Sequence, residues 1–155
     1  MNAMVRHLFV VALLAGTAVP AASQDKATTV PVHFAKGASN STVSGNVAGY
    51  DSIHYTLGAK AGQTMTVKVT GSSNANFNVF KPGDIPGQAA AIGSGYVGGD
   101  WSANLPATGT YTVQVYQVRA TARRGGKAPY TISFGIRCAA RVARYRAAIG
   151  EKKEG

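Results

Sequence analysis

The chain has 155 residues, a formal net charge of +10, 19 glycines and a single cysteine, Cys138. One cysteine excludes an intrachain disulfide, so the fold must rest on packing alone, and only pairing between two chains, as a homodimer, stays open to it. No nucleic-acid-binding motif accompanies the positive charge, which excludes nucleic acid as the expected partner.

The N-terminal segment, residues 1–23, has the pattern of a cleaved signal peptide. Arg6 precedes an apolar run from Leu8 to Val19, and the small residues Ala21 and Ser23 favour cleavage after Ser23. The run is shorter than the ~20 residues of a membrane-spanning helix, so we expect no stable membrane insertion after cleavage. We therefore expect a periplasmic protein. Basic charge on an exported chain indicates anionic envelope polymers, anionic lipid or an acidic groove of a partner protein.

Residues 24–136 predict a single all-β domain. Short runs of alternating apolar and polar residues are separated by Gly- and Pro-rich turns at nearly regular spacing, which is typical of an antiparallel β-sandwich. The clearest strands are Met65–Thr70, Phe77–Phe80, Tyr111–Val118 and Tyr130–Ile136. With the shorter runs before them, the pattern predicts seven or eight strands in two packed sheets. Alternation places Tyr111, Val113, Val115 and Gln117 on one face of the longest strand.

Two segments between these strands differ from ordinary turns. Residues 88–99 are small and Gly-rich, so we expect a loop or an irregular edge crossing, with a functional lid as the alternative. Residues 117–127 connect two strong strands, so we expect an exposed hairpin loop that carries Arg119, Arg123, Arg124 and Lys127. Arginine is suited to bidentate contacts with carboxylates, which makes this loop a candidate recognition surface.

The last segment, residues 137–155, is a basic extension with six basic and two acidic residues. Apolar residues between Cys138 and Ile149 fall at helical spacing, so we expect a short C-terminal helical tail that begins at Arg137. A solvated helix is the simplest interpretation, and a membrane-surface or partner-binding segment is the alternative.

The inventory of reactive side chains argues against an enzyme. Residues 24–136 contain no Glu and no Cys, and only two His and four Asp. No nucleophile-elbow motif accompanies His54 and Asp51. Asp84 and Asp100, the candidates for a pair of glycosidase carboxylates, lie in turn-like stretches. We expect no catalytic residue, no zinc site and no cofactor, while bound calcium stays open.

Two aromatic residues support a second hypothesis about function. Trp101 stands at a predicted strand start and is expected in the core, with a sugar-stacking platform as the alternative. Tyr50 stands in a Gly-Tyr-Asp turn, where a bulky ring is exposed without packing, so it is a candidate recognition residue. The second hypothesis is an exported carbohydrate- or envelope-binding β-sandwich module.

Several short motifs carry a family resemblance. They are Phe34-Ala-Lys-Gly37, Ser44-Gly45, Gly49-Tyr50-Asp51, Gly62-Gln63, Leu105-Pro106-Ala107 with Gly109, Gln117 with Arg119, and Ala122-Arg123. Together they resemble the bacterial periplasmic inhibitors of g-type (goose-type) lysozyme. The Gly-Gln turn and the Leu-Pro-Ala strand entry also resemble pre-peptidase C-terminal-type sandwiches, so those two motifs indicate the fold alone.

The resemblance implies a β-sandwich that inserts loops into the active-site cleft of a g-type lysozyme and so protects peptidoglycan. The two loop arginines would reach acidic residues of the cleft, and the tyrosine and serine of the earlier motifs would shape or contact the inserted surface. The lysozyme-binding residues so predicted are Arg119, Arg123, Tyr50, Ser44, Asp51 and Gln117. The run Ser52-Ile53-His54 departs from a more acidic and aromatic run in the family, and residues 137–155 have no counterpart there.

Overall fold

The computed structural model describes residues 25–138, and the predictions for residues 1–24 and 139–155 lie outside the described residues. The described part consists of strands and one helical turn. The strands are β1 (Ala27–Pro31), β2 (Asn40–Ala48), β3 (Ser52–Ala59), β4 (Gln63–Gly71), β5 (Ala75–Phe80), β6 (Gly93–Tyr96), β7 (Trp101–Asn104), β8 (Gly109–Gln117) and β9 (Lys127–Cys138), and the helical turn is α1 (Arg119–Ala122).

The strands form a five-stranded sheet in the order β1-β3-β8-β5-β6 and a four-stranded sheet in the order β2-β9-β4-β7. The prediction of an all-β sandwich is confirmed, but the described residues contain nine strands rather than seven or eight. The sandwich is also not purely antiparallel, since β1 runs parallel to β3 with Ala27 opposite Ser52. A parallel pair forms here because β2 crosses to the other sheet between them, which gives the chain room to return in the same direction.

The core lies between the two inner faces, as the alternation predicts. Val67 and Val69 are fully buried whereas Lys68 between them is exposed. The face of β8 on which alternation groups Tyr111, Val113, Val115 and Gln117 is the inner one, because all four residues are buried. The largest buried side chains are Tyr55, Tyr111, Phe77, Phe134, Leu57, Met65, Leu105 and Ile132.

A buried tyrosine pair joins the two sheets beneath β2. The hydroxyl groups of Tyr55 and Tyr130 form a hydrogen bond of 2.9 Å, and their rings meet edge to face at 6.5 Å. Burial raises the pKa of both hydroxyls, so both stay neutral hydrogen-bonding groups. A Cβ atom at Gly45 would lie 2.6 Å from the Tyr130 hydroxyl oxygen, so the pair fits only under a glycine.

The Gly-rich segment 88–99 contains a strand, which corrects the prediction of a loop or irregular crossing. β6 pairs with β5 although it has little side-chain pattern of its own. Its glycines leave space that other residues fill: the Trp101 indole lies against Gly93, and the Phe77 ring lies against Gly95. Trp101 begins β7 as predicted, and it is half-buried against the core rather than fully enclosed.

The predicted C-terminal helix is wrong at its first two residues. Arg137 and Cys138 continue β9, opposite Thr64 and Gln63 of β4. Pairing with a central strand outweighs the helical spacing of the residues that follow. The Cys138 thiol is free and exposed, 3.7 Å from the Gln63 side-chain nitrogen.

Four segments gather at one end of the sandwich, called the loop end below. The register brings them there, because Ala48 of β2 lies opposite Lys127 of β9 and Ala75 of β5 lies opposite Gln117 of β8. The loop end consists of residues 25–26, 49–51, 72–74 and 118–126. The turns that follow β3 and β7 lie at the opposite end.

Candidate binding site at the loop end

Two connections that cross between the sheets meet at the loop end. Residues 118–126 connect β8 of the five-stranded sheet to β9 of the four-stranded sheet, so they form a crossing arch and not the predicted hairpin loop. Residues 49–51 cross between the sheets from β2 to β3. The Gly49 amide donates to the Gly126 carbonyl at 2.9 Å, which ties the two arches together. This hydrogen bond therefore fixes the side chains of one arch relative to those of the other.

The Gln117 side chain holds both arches from below. Its nitrogen donates to the carbonyls of Gly126 at 2.7 Å, Val47 at 3.2 Å and Gly49 at 3.4 Å. The residue is 5% exposed, and its side-chain oxygen is buried without a hydrogen-bond partner among the described residues. Sequence alternation grouped Gln117 with Tyr111, Val113 and Val115, and the structure shows that their face is the inner one. Its nitrogen binds backbone carbonyls, so its part in a binding site is to position the arches.

The arch at residues 49–51 carries Tyr50 and Asp51, whose side chains have different surroundings. Tyr50 is 47% exposed at the tip of the turn, as expected of a recognition residue. Gly49 before it has a φ of 54°, a left-handed conformation that glycine adopts without strain. The Asp51 carboxylate instead accepts a hydrogen bond of 3.0 Å from the Lys26 amide, and the Ser52 amide donates to the Lys26 carbonyl at 2.9 Å. Asp51 thus fixes the start of β1 to the turn.

The arch at residues 118–126 is built around the single turn of α1. The Val118 carbonyl accepts from the amides of Thr121 and Ala122, each at 3.0 Å, and Ala122 is buried beneath the turn. The Arg123 amide donates to the Arg119 carbonyl at 3.1 Å. Residues four apart on a helical turn lie on the same side, so both exposed arginine side chains start from one side of the arch.

The basic side chains of the loop end have no acidic partner within the described part of the chain. The ion pairs among residues 25–138 are Lys68 with Asp100 at 3.1 Å and Lys81 with Asp84 at 3.9 Å, and neither is at the loop end. Each guanidinium therefore keeps its fork of donors for an external acceptor. The loop end carries Lys26, Arg119, Arg123 and Arg124, with Lys127 at its border.

An open concavity of about 620 Å³ lies beside the arches. It is lined by Asp25, Tyr50, Tyr116, Gln117 and Arg119. Sequence reasoning missed Asp25 and Tyr116 as site residues. The signal for Tyr116 was present, because alternation along β8 places it on the outer face of the sheet, one residue before Gln117.

Ser44 is the predicted site residue that the structure keeps apart. It lies on the outer face of the four-stranded sheet, where its hydroxyl forms a hydrogen bond of 3.1 Å with Thr131. Four residues of strand separate it from the end of β2, which is ~13 Å at the usual rise of an extended strand. The structure therefore groups Tyr50, Asp51, Arg119 and Arg123 over Gln117, with Ser44 outside the group.

The described residues do not assemble the parts of a catalytic or metal site. His54 forms a hydrogen bond of 3.1 Å with the Ser52 hydroxyl, and burial lowers the pKa of its imidazole. Within residues 25–138 no three His, Cys, Asp or Glu side chains come close enough to hold a metal ion. In the same range no helix has the length and apolar character needed to span a membrane.

In comparisons with known proteins, a family model matches part of this chain and a related protein matches most of it. The family model of the bacterial pre-peptidase C-terminal domain matches residues 51–117. An inhibitor of g-type lysozyme from Escherichia coli (strain K12) is 31% identical over 132 residues, covering 85% of this chain and 95% of that protein.

Two solved structures are similar over the described domain. The crystal structure of Aeromonas hydrophila PliG, a periplasmic lysozyme inhibitor of g-type lysozyme, has a TM-score of 0.71 and 61% identity, and covers 73% of this chain and 99% of its own. The structure of the Salmonella Typhimurium protein of the same name has a TM-score of 0.57 and 28% identity, and covers 71% of this chain and 98% of its own.

Proposed function

This chain belongs to the family of inhibitors of g-type lysozyme, and we propose that it is a periplasmic inhibitor of such a lysozyme and not an enzyme. The family predicted from the sequence motifs is confirmed. The observation that carries the proposal is the 61% identity to an inhibitor of known structure across 99% of that chain. The signal peptide predicted for residues 1–23 agrees with the periplasmic location.

The loop end is the surface that we assign to the lysozyme. Glycoside hydrolases depend on essential carboxylates in a cleft. A guanidinium that enters the cleft pairs with these groups through two charge-assisted hydrogen bonds and excludes the substrate at the same time. Arg119 and Arg123 suit this role because both are exposed, both start from one side of α1, and neither has an ion-pair partner among residues 25–138.

The other predicted residues take different roles. Tyr50 supplies the exposed ring that packs against the cleft wall, since aromatic side chains add much contact area at an interface. Asp51 and Gln117 act within the inhibitor, because Asp51 binds the Lys26 amide before β1 and Gln117 binds the backbone of the arches. Ser44 takes part only if the interface extends ~13 Å along the outer face of the four-stranded sheet.

Arginine truncation tests the assignment. A buried interfacial charge pair that loses one partner costs about 2–5 kcal/mol, against about 0–1 kcal/mol for an exposed ion pair. We expect Arg119→Ala and Arg123→Ala each to raise the inhibition constant for one g-type lysozyme by a factor of about 30 or more. Circular dichroism and the thermal midpoint should stay unchanged, since both side chains are exposed.

Two lysines serve as matched controls. Lys127→Ala removes a positive charge at the border of the loop end, and Lys60→Ala removes one at the opposite end. Both should inhibit as the parent does. If both arginine variants inhibit as well as the parent, the loop end is not the lysozyme-binding surface. If Lys60→Ala weakens inhibition as strongly, net charge rather than local contact determines binding.

A further inference from the structure

The outer face of the five-stranded sheet carries two registered rows of neutral side chains. His54 of β3 lies opposite Gln114 of β8, which lies opposite Asn78 of β5. In the neighbouring row, Tyr116 of β8 lies opposite Asn76 of β5, which lies opposite Tyr96 of β6. These residues alternate with the buried core residues of the same strands, so their side chains face outward. We call these two rows the neutral face.

The neutral face has no formal charge in a strongly basic protein. Residues 25–138 contain ten basic and four acidic residues, and none belongs to either row. Burial lowers the pKa of His54, which keeps its imidazole uncharged. A surface of this kind does not fit a phosphate, an anionic lipid or a charged peptide, because each of those needs opposite charge.

Two amide groups of the neutral face, those of Gln114 and Asn78, are free to bind a ligand. Among the described residues, its side-chain hydrogen bonds join His54 to Ser52 and Asn76 to the Asn74 carbonyl. The side chains of Gln114 and Asn78 form none within residues 25–138, although both are half-buried. Each amide offers donors and an acceptor side by side, an arrangement that pairs with another amide or with neighbouring hydroxyl groups.

Two tyrosines flank these amides on the side towards the loop end. Tyr96 is 61% exposed and Tyr116 is half-buried, and they stand two strands apart, ~10 Å, on one row. That separation is comparable with the length of a disaccharide. The apolar C–H side of a sugar ring packs against an aromatic ring through dispersion and hydrophobic burial.

We propose that the neutral face binds a glycan of β-1,4-linked N-acetylhexosamine units, laid across the strands from Tyr116 to Tyr96. The side-chain amides of Gln114 and Asn78 pair with the acetamido groups and ring hydroxyls, and the tyrosines stack on sugar rings. An extended glycan of this linkage matches an extended row of side chains, and its uncharged sugar rings match these uncharged side chains.

The source that we assign is the glycan strand of peptidoglycan. Tyr116 also lines the concavity at the loop end, so the neutral face is continuous with the surface assigned to lysozyme. An inhibitor that binds peptidoglycan through the neutral face is located at the glycan strands that the lysozyme cleaves. The choice of source rests on the proposed function, whereas the chemistry of the face does not.

Titration of the mature protein with a hexamer of N-acetylglucosamine tests the glycan chemistry. Calorimetry should show binding, and the glucose hexamer, which lacks acetamido groups, should bind at least about tenfold more weakly. Amide chemical-shift changes in the parent should map to β8, β5 and β6. The proposal is overturned if the parent shows neither heat nor shifts, if the shifts map elsewhere, or if both hexamers bind equally.

Variants separate this face from the lysozyme-binding surface. The double variant Asn78→Ala, Gln114→Ala should bind the N-acetylglucosamine hexamer at least about tenfold more weakly while inhibiting lysozyme within about twofold of the parent. Arg119→Ala should show the converse, and Thr66→Ala, on the outer face of the other sheet, should change neither. Hexamer binding by the double variant that equals the parent's would refute the assignment of the amides.

Sedimentation with purified peptidoglycan sacculi tests the source. The parent should sediment with the sacculi and be released by excess N-acetylglucosamine hexamer. Sedimentation that the hexamer does not reduce would exclude the glycan strand as what this face binds on the wall.

Discussion

Replacement of Gln117 by Leu or Glu tests whether this side chain is the element that unites the two arches. Leu removes the donor that serves three carbonyls, although the Gly126 carbonyl keeps its bond from the Gly49 amide. A buried hydrogen bond contributes about 0.5–1.5 kcal/mol, so loss of the two shorter ones costs about 1–3 kcal/mol. Removal of the unpartnered side-chain oxygen offsets part of this cost. We expect Gln117→Leu to lower the free energy of unfolding by about 1–2 kcal/mol.

Glu at position 117 has nearly the same shape but, when ionised, directs only acceptors at the carbonyls. We expect a loss of at least about 3 kcal/mol at neutral pH, since a buried charge then has no donor. Burial raises the pKa of such a carboxyl in the folded state above its value in the unfolded chain. The folded protein then binds more protons, so Gln117→Glu should lose stability as the pH rises through the range between the two pKa values.

Urea unfolding at several pH values, with inhibition assays on the same samples, measures both effects. Gln117→Leu should also inhibit lysozyme several-fold less well, because the arches that carry Tyr50 and the arginines keep the Gly49–Gly126 hydrogen bond but lose those of the Gln117 amide. The role assigned to Gln117 fails if Gln117→Glu is as stable as the parent at neutral pH, since the amide nitrogen would then not be what faces the carbonyls. It also fails if Gln117→Leu equals the parent in both stability and inhibition.

Three further predictions concern other parts of the chain. Gly45→Ala should cost about 1–3 kcal/mol in urea unfolding. Adding Tyr130→Phe should recover part of the loss, because it removes the nearest of the three atoms that the new methyl group meets, the hydroxyl oxygen at 2.6 Å. Strictly additive effects would contradict this explanation. Because burial lowers the pKa of His54, the folded state binds fewer protons than the unfolded chain. Stability should therefore fall as the pH drops below the ordinary value of 6.5, and His54→Gln should flatten that fall. An unchanged pH profile in this variant would exclude His54 as the cause. Deletion of residues 139–155 should leave inhibition within a few-fold of the parent, since Cys138 ends β9 at the end remote from the arches; a loss of about a hundredfold would place the tail in the binding surface.

The core was predictable from sequence because alternation reports what each strand buries. The inner face of β8 follows directly from a run in which every second residue is apolar or, at Gln117, enclosed. The same alternation groups Gln117 with Tyr111, Val113 and Val115, whereas the family resemblance grouped it with the binding residues. The two statements agree once Gln117 is understood to position the arches.

Other elements were not predictable, because their structure depends on residues distant in sequence. β6 is a strand because the rings of Trp101 and Phe77 fill the space above its glycines, and no local pattern reports those rings. Arg137 and Cys138 extend β9 because β4 offers a partner there, although the following sequence has helical spacing. The arch at 118–126 looked like a hairpin because the length of a connection does not show whether its two strands share a sheet.

The strand order has a consequence for the time at which this protein can fold. β9 is the last strand of the described chain, yet it lies between β2 and β4 and supplies the sheet partner of both. The four-stranded sheet therefore cannot close while the C-terminal part of the chain is still being synthesised. Pairings such as Ser44 with Thr131 join residues far apart in sequence, and contacts of this kind make folding slow. For a chain that must leave the cytoplasm before it folds, as its predicted signal peptide implies, this topology delays folding until the last strand has been made.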